Sequence, residues 1–272
     1  MLIAQISDAH IGVPGTLFYD RFDTGAALRR AIEALNALEP RPDVVLFTGD
    51  LGDKGTAEEY VYIRDLLSAL EVPLFVIPGN HDNRAAMLEA FRDAPYLAGS
   101  DEFFHYAVEQ YPVRLIGLDT VNPLEFGAGE MCNARLDWLD RTLAAQPDRP
   151  TVVFMHHPPF DTGIAHMDRI KCANGEAFEA VVARHPQIER VLCGHVHRPV
   201  QLRLGGTIAQ IAPSVAHQLP LDLRPDGPQA FVFEPPAFML HQWQEGRGIV
   251  SHTQYIGDFG TPISFSTGEP VA

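Results

Sequence analysis

The sequence predicts an α/β fold built around a largely parallel sheet, and two observations support this. Short apolar runs, as expected of strands buried on both faces, alternate with segments in which leucine recurs at helical spacing. Polar residues follow most of the apolar runs, and the carboxyl ends of parallel strands are where α/β proteins place their chemistry. Right-handed crossovers through the helices would bring those strand ends to one edge of the sheet.

The first third of the chain predicts three strands with helices between them. Val44–Thr48 is almost continuously apolar, and Thr56 with Glu59 matches a capping box at the start of a helix. The predicted elements are strands at 2–7, 44–48 and 74–77 and helices at 23–38, 56–70 and 83–91.

The rest of the first 217 residues continues this alternation. Leu136, Leu139 and Leu143 recur at helical spacing after Asn133, and Thr151–Met155 is another apolar run. The predicted elements are antiparallel strands at 103–108 and 113–118, a helix from 133, a strand at 151–155, a helix at 174–184 and strands at 190–193 and 207–211.

Charge and cysteine content exclude several classes of protein. The formal net charge of −15 at pH 7 argues against a nucleic-acid polymer as partner, because nothing offsets phosphate repulsion across the surface. Cys132, Cys172 and Cys193 form no CxxC pair, which predicts no disulfide and a reducing cytoplasm. A strand pattern begins directly after Met1, so we expect no signal peptide, and no apolar run reaches the ~20 residues of a membrane span. The sequence thus predicts a cytoplasmic protein without a membrane partner.

Gly194-His195-Val196-His197 follows the apolar strand at 190–193. Residues two apart in an extended chain point the same way, so both imidazoles can face one side. Two such imidazoles at a strand end suit a divalent metal ion. Taken alone, the pair fits two hydrogen-bonded polar histidines equally well, and the other strand ends decide between the two interpretations.

Residues of metal-binding types follow several of the predicted strands. They supply imidazole, carboxylate and one amide oxygen but no thiolate, which suits Fe, Mn, Zn or Co. One catalytic metal ion needs fewer ligands, because it must keep an open position. The set therefore predicts two divalent metal ions per chain, with one carboxylate bridging them. The candidate ligands are Asp8, His10, Asp50, Asn80, His156, His195 and His197.

The same residues carry a resemblance to the calcineurin-like metallophosphoesterases, which covers about residues 1–217. The matching motifs, in order, are Asp8-x-His10, Gly49-Asp50, Gly79-Asn80-His81-Asp82, His156 and Gly194-His195-x-His197. Three further stretches resemble the bacterial class III phosphodiesterase branch, which includes glycerophosphodiesterases and cyclic-AMP phosphodiesterases. They are Met155-His156-His157-Pro158-Pro159, Met167-Asp168-x-Ile170-x-Cys172-x-Asn174-Gly175 and Pro213-x-x-x-His217-Gln218-x-Pro220.

The resemblance implies a four-layer αββα sandwich of two sheets and a role for each site residue. The first metal ion would be held by Asp8, His10, Asp50 and His197, and the second by Asp50, Asn80, His156 and His195. His81 would be the catalytic residue, beside the substrate phosphate without binding metal; its alternative role is to orient a metal ligand. Asn80 and His217 would also contact the substrate, and His157 is expected to be structural.

The resemblance also implies the reaction, hydrolysis of small phosphodiesters by attack of a metal-bridging hydroxide. Glycerophosphodiesters and 3′,5′-cyclic nucleotides both fit this description. The alternatives are a phosphomonoesterase on the same scaffold and a non-catalytic interaction module. The module is disfavoured, because such a protein should lack part of the ligand set and here none is missing.

From about Leu219 the composition shifts to prolines between short apolar runs. We therefore expect a small β-rich C-terminal appendage, with residues 1–218 as the catalytic domain and 219–255 as a cap or dimerisation segment. We expect the tail, 256–272, to pack back on the catalytic domain. The segment must bury its aromatic residues against the catalytic domain or against another chain. The resemblance favours another chain, and so predicts a homodimer or a larger even-numbered assembly.

Overall fold

The computed structural model describes residues 1–98 and 103–271, in which six α-helices and thirteen strands are found. The strands are β1 (Leu2–Ile6), β2 (Val44–Thr48), β3 (Leu74–Ile77), β4 (Tyr106–Val108), β5 (Arg114–Leu118), β6 (Gly129–Glu130), β7 (Thr151–Met155), β8 (Cys172–Ala173), β9 (Ile188–Cys193), β10 (Val200–Leu204), β11 (Thr207–Ile211), β12 (Ala237–Gln244) and β13 (Gly248–Tyr255). The helices are α1 (Thr24–Asn36), α2 (Ala57–Leu67), α3 (Arg84–Ala90), α4 (Asn133–Ala144), α5 (Ala165–Asp168) and α6 (Gly175–Arg184).

The strands form two mixed sheets and a short β6–β8 pair. The first sheet has the order β13-β12-β1-β2-β3 and the second the order β10-β11-β9-β7-β5-β4. The predicted parallel strands are adjacent in both: β1, β2 and β3 in the first, and β5, β7, β9 and β11 in the second. Antiparallel strands extend each sheet at its edges. The carboxyl ends of the parallel strands are thereby available to build one site.

The two sheets face each other, with helices over their outer faces. Along β7, Val152 and Phe154 share a core with the first sheet, whereas the alternate residues Val153 and Met155 share a core with α4 and α6. Residues of α1 and α2 pack with the first sheet. The layers are therefore helix, sheet, sheet and helix, which confirms the predicted αββα sandwich. No helix in the described parts of the chain has the length and apolar character needed to cross a bilayer.

Three helices, α1, α2 and α3, begin within one residue of their predicted starts. Asp23 and Asn83 cap α1 and α3, each accepting a backbone N–H of the first turn. Thr56 and Glu59 form the capping box of α2, in which each side chain accepts the other residue's backbone N–H. These caps satisfy N–H groups that the first turn of a helix leaves without a partner. Asn83 lies close after β3, so its cap also fixes the path of the loop that follows this strand.

Two strands of the second sheet, β4 and β10, differ most from the prediction. β4 begins at Tyr106 rather than at 103, because the residues before it bond to a loop instead of to a strand. Phe104 donates its N–H to the Asp119 carboxylate, and His105 Nδ1 accepts the N–H of Asp119. β10 is absent from the prediction, although its side chains alternate and a Gly205-Gly206 turn joins it to β11 in a hairpin.

The C-terminal region is less separate from the sandwich than the sequence predicts. β12 pairs antiparallel with β1, with Leu240 opposite Ala4, and β13 pairs with β12. Phe238 is fully buried and belongs to the same core cluster as β1, β2 and helices α1 and α2. The hairpin therefore completes the first sheet by pairing with β1, which lies at the other end of the chain. The appendage is restricted to residues 219–236.

The tail makes little contact with the rest of the chain. Ile256 is buried, whereas residues 257–271 are exposed apart from half-buried Ser264. Ala272 lies outside the described residues. Ile263 pairs with Pro270 in a local bridge instead of extending a sheet. Among the described residues of 256–272, Ile256 is the one that is buried, and Ser264, Gly268 and Val271 donate their backbone N–H groups within the tail.

Candidate active site

The loops that leave five strands meet where the two sheets face each other. All seven predicted metal ligands lie in these loops, and all but half-buried Asn80 are buried. The loops follow β1 (Asp8 and His10), β2 (Asp50), β3 (Asn80 and His81), β7 (His156) and β9 (His195 and His197). Since β7 and β9 belong to the second sheet, the site depends on how the sheets are stacked.

The backbone is strained at five of these positions. Asp8, His10, Asp50, His195 and His197 adopt positive φ angles between 47° and 71°. Only three other non-glycine residues in the described chain do so. Such a conformation costs on the order of 1–3 kcal/mol per residue, and it persists where the surrounding structure enforces it, most often at functional sites. The concentration of strain here therefore indicates a site built for function.

His195 and His197 reach the site differently from the prediction. β9 ends at Cys193, and both histidines lie in the turn beyond it, with φ angles of 71° and 54°. Strand alternation therefore does not orient them. The turn directs His195 to Asn80 and His197 to Asp8, so the two imidazoles serve different parts of the site.

One group of donor atoms surrounds Asp8. His197 Nε2 lies 3.3 Å from Asp8 Oδ1 and 3.1 Å from His10 Nε2. His10 Nε2 in turn lies 3.6 Å from Asp50 Oδ2. Two imidazole nitrogens this close repel each other unless a proton or a cation lies between them. The group consists of donors that suit one divalent cation.

A second group surrounds Asn80. Its Oδ1 lies 2.9 Å from His195 Nδ1 and 3.1 Å from His156 Nε2. His156 Nε2 also lies 3.4 Å from Asp50 Oδ2. The same carboxylate oxygen of Asp50 therefore adjoins both groups. A carboxylate in this position is within reach of both groups of donor atoms.

Backbone carbonyls fix three imidazoles through their Nδ1 atoms. His156 Nδ1 bonds to Thr48 O at 2.7 Å and His197 Nδ1 to the carbonyl of His217 at 2.8 Å. Since a carbonyl only accepts, Nδ1 carries the proton in both rings and Nε2 is left free to bind a cation. His81 Nδ1 donates in the same way to the carbonyl of Asp53 at 2.8 Å.

The cluster holds buried negative charge. Burial by itself raises the pKa of Asp50, but His156, His81 and His10 together outweigh it, and the pKa lies well below its usual range. Burial also raises the pKa of Asp8, but His197 and His156 together overcome it and lower this pKa. Burial lowers the pKa of His195 to about 3, whereas Asp50 raises that of His156 to about 9 against the effect of burial. Buried carboxylates require nearby positive charge, so the residues present fit divalent cations.

His81 lies at the edge of this cluster, with its side chain 28% exposed. Its backbone N–H donates to Asp50 Oδ1 at 2.8 Å, and its ring packs edge-on against that of His10, with centroids 4.5 Å apart. Asp53 adds a carboxylate oxygen 4.0 Å from His81 Nδ1. His81 is therefore oriented by its neighbours while part of the ring faces the cavity.

Aromatic rings form one wall of that cavity. His217 stacks on Phe18 with ring centroids 4.4 Å apart, and Phe231 packs against both. His217 Nδ1 is buried without a hydrogen-bond partner in the described chain, and burial lowers the pKa of this ring to about 3. His157 bonds to Thr120 Oγ1 through Nδ1 and is fully buried behind His156. His217 thus lies in the cavity, whereas His157 lies behind it.

Two glycines permit the close approach of these loops. A Cβ at Gly49 would collide with the ring of His156, and the residue has a φ of 90° that favours glycine. A Cβ at Gly194 would collide with Ser7 Oγ and lie 2.9 Å from Asp8 Oδ2. Both positions exclude larger residues because the loops of the two sheets meet there.

The sequence interpretation missed several residues that line the cavity. Asp53 has no recognisable pattern, because its proximity to His81 depends on the fold. Phe18 and Tyr19 lie in a loop with no helical or strand periodicity. Arg169 occupies an unassigned position within the Met167-to-Gly175 stretch. The one feature of the sequence that could have pointed to Arg169 is its positive charge in a chain with a large excess of acidic residues.

The comparisons with known proteins agree with this geometry. Residues 1–199 match the calcineurin-like phosphoesterase family, and the chain belongs to that family. It is therefore a metal-dependent phosphoesterase.

A protein of Arcobacter nitrofigilis, named as a probable glycerophosphodiester phosphodiesterase, is 39% identical over 97% of this chain and 97% of its own. A probable cyclic nucleotide phosphodiesterase of Rhodopseudomonas palustris is 34% identical over 93% of this chain and 91% of its own. Among solved structures, a dimetal phosphatase from Danio rerio superposes with a TM-score of 0.69 over 94% of this chain and 99% of that one. At 17% identity this likeness shows the shared fold.

Proposed function

We propose that this protein is a dinuclear metal-dependent phosphodiesterase of small phosphodiesters, with glycerophosphodiesters and 3′,5′-cyclic nucleotides as the substrate classes. The observation that carries the proposal is the position of Asp50 Oδ2, which lies 3.6 Å from His10 Nε2 and 3.4 Å from His156 Nε2. One carboxylate thus joins two groups of donors. The names of the two curated relatives support the two substrate classes.

Each site residue has a role in this proposal. The first metal ion would be held by Asp8, His10, Asp50 and His197, and the second by Asp50, Asn80, His156 and His195. When bound, two such cations lower the pKa of a shared water and neutralise charge on the phosphoryl oxygens. His81, with Nδ1 fixed by a carbonyl, presents Nε2 to the phosphoryl group, and Asn80 and His217 contact the substrate beside it. No side-chain nucleophile is needed.

The ligand types suit Fe, Mn, Zn or Co, since they are imidazole, carboxylate and amide. Elemental analysis of the purified protein identifies the two native metal ions. The substrate class is tested by kcat/KM on glycerophosphodiesters, cyclic nucleotides and phosphomonoesters, with metal-stripped protein as the control. We expect diesters to be hydrolysed faster than monoesters. Faster hydrolysis of monoesters would instead establish a phosphomonoesterase.

We predict that Asn80→Ala weakens mainly the second metal site. Its Oδ1 faces His195 and His156, and neither belongs to the first group. We expect a loss of about tenfold or more in affinity at the second site, the lower end of what losing a supporting group costs. A titration with Mn that resolves both binding steps measures this. Equal weakening at both sites would contradict the assignment.

We also propose that residues 219–236 and the tail contribute to a homodimer or a larger even-numbered assembly. Leu221, Leu223, Phe233 and Phe259 are each more than half exposed. Exposed apolar groups in one region are typical of an interface with another chain. Sedimentation velocity at micromolar concentration should show an even-numbered oligomer that Leu221→Asp/Leu223→Asp weakens. A monomeric wild-type protein would contradict the proposal.

A further inference from the structure

The cavity extends well beyond the metal-binding residues. Its volume is about 430 Å³, and Asp50, Asn80, His195 and His197 form only one side of it. Phe18, Tyr19 and Phe231 form a second side. The third side comes from residues 166–170, at and after α5, to which the proposed function assigns no role.

A second cavity, of about 440 Å³, adjoins His10 and His81 as well. The two cavities share these histidines together with Phe18 and Tyr19. A phosphodiester bound at the metal centre has two alcohol groups to accommodate, and two cavities that meet at the same residues offer one place for each. The residues that line each cavity therefore determine which alcohol group that cavity binds.

Arg169 is an unpaired cation on the third side of the first cavity. Its side chain has no hydrogen bond or ion pair with any described residue. The acidic residues near it in sequence have other partners: Asp168 accepts from Thr162 and Gly163, and Asp161 pairs with Lys171. A chain with 35 acidic and 20 basic residues offers many carboxylates to an arginine. Arg169 is exposed, so without a carboxylate partner its guanidinium is available to a ligand that enters the cavity.

His166 lies beside Arg169 on the same wall and also lacks a partner. The residue is 8% exposed, Nε2 is completely covered, and neither ring nitrogen has a hydrogen-bond partner among the described residues. Burial lowers the pKa of this imidazole, and the charge of Arg169 adds to that effect against the opposing carboxylates of Asp168 and Asp222. A neutral imidazole offers one N–H. A buried polar group without a partner is costly unless a ligand satisfies it.

We propose that Arg169 and His166 form a subsite for an oxyanion, a carboxylate or a phosphate, carried by one alcohol group of the diester substrate. The planar guanidinium matches such an oxyanion with two parallel N–H donors, and the imidazole adds a third. The inference rests on the proposed function and narrows it. The preferred diesters would carry a second negative charge on one alcohol group; 3′,5′-cyclic nucleotides, which have no charge beyond the phosphodiester, would not be preferred.

The test uses the metal-loaded protein and three diesters with the same p-nitrophenyl leaving group, whose second alcohol is ethyl, 2-carboxyethyl or 2-phosphoethyl. We expect Arg169→Met to lose roughly 10- to 100-fold in kcat/KM on the two anionic diesters, mainly through KM, in line with charge-assisted hydrogen bonds. The ethyl diester should change less than about twofold, and Arg169→Lys should keep part of the preference. Comparing kcat/KM for the 2-carboxyethyl and 2-phosphoethyl diesters shows whether the subsite favours a carboxylate or a phosphate.

Lys54 provides a matched control, because it is an exposed cation that lines the second cavity only. Loss of the anionic preference in Lys54→Met but not in Arg169→Met would overturn the proposal, as would equal losses on all three diesters. If the wild-type protein hydrolyses none of them, the proposed function fails. The subsite is then judged by calorimetry with 3-phosphonopropionate, which supports it if Arg169→Met weakens binding and overturns it if binding is unchanged.

Discussion

Asp50→Ala should reduce diester hydrolysis to background and leave the protein without both metal ions. Its Oδ2 is the atom that adjoins His10 on one side and His156 on the other. Removing it withdraws a ligand from both groups and one of the two buried negative charges that attract the cations. Elemental analysis after dialysis measures the metal content, and bis(p-nitrophenyl) phosphate turnover measures the activity.

Two further variants make this result specific. Asp50 Oδ1 also accepts the N–H of His81 at 2.8 Å, so alanine disturbs that loop as well. Asp50→Asn keeps an oxygen for this bond and removes only the charge, and we expect it to lose metal too. Asp65→Ala, an exposed carboxylate on α2, should behave as the wild type. An Asp50→Asn protein with two metal ions per chain would contradict the bridging role.

His81→Ala should keep both metal ions but lose roughly 10²- to 10⁴-fold in kcat, the usual scale for a group that transfers a proton or stabilises developing charge. The ring is held through Nδ1 by the carbonyl of Asp53, outside the two groups around Asp8 and Asn80. Its removal therefore leaves the donor atoms in place. Steady-state kinetics at saturating substrate, together with metal analysis, separates the two effects.

The control for this variant is His252→Ala, which removes an exposed imidazole from β13 far from the site in the sheet order. It should leave both kcat and metal content unchanged. If His81→Ala loses metal in proportion to its activity, then His81 orients a ligand instead of contacting the substrate. That result would favour the alternative role that the sequence leaves open.

The sequence predicted the chemistry of the site because strand ends are visible as local patterns. Apolar runs locate β1, β2, β3 and β7, and the polar residues just beyond them are the ones that meet in the structure. The distance of 3.1 Å between His10 and His197 was not predictable, since it depends on how two separate sheets face each other. The positive φ angles at five site residues were also invisible, because Asp and His adopt this conformation more often than other residues but still at only a minority of their positions.

The C-terminal hairpin is an element whose place in the fold could not be predicted from the sequence. Prolines at 235 and 236 suggested an appendage, whereas the residues directly after them begin β12. The partner of β12 is β1, at the other end of the chain, so no local pattern indicates the pairing. β10 is a different case, since Gly205-Gly206 between two alternating runs is a local hairpin signal that the interpretation passed over.

The number of metal ions required for activity tests the proposed function most directly. Metal-stripped protein at known concentration is titrated with Mn while hydrolysis of bis(p-nitrophenyl) phosphate is followed. The two donor groups joined by Asp50 predict that the stripped protein is inactive and that activity rises until two equivalents per chain are bound. Full activity in the stripped protein, or saturation of activity at one equivalent, would contradict a dinuclear centre.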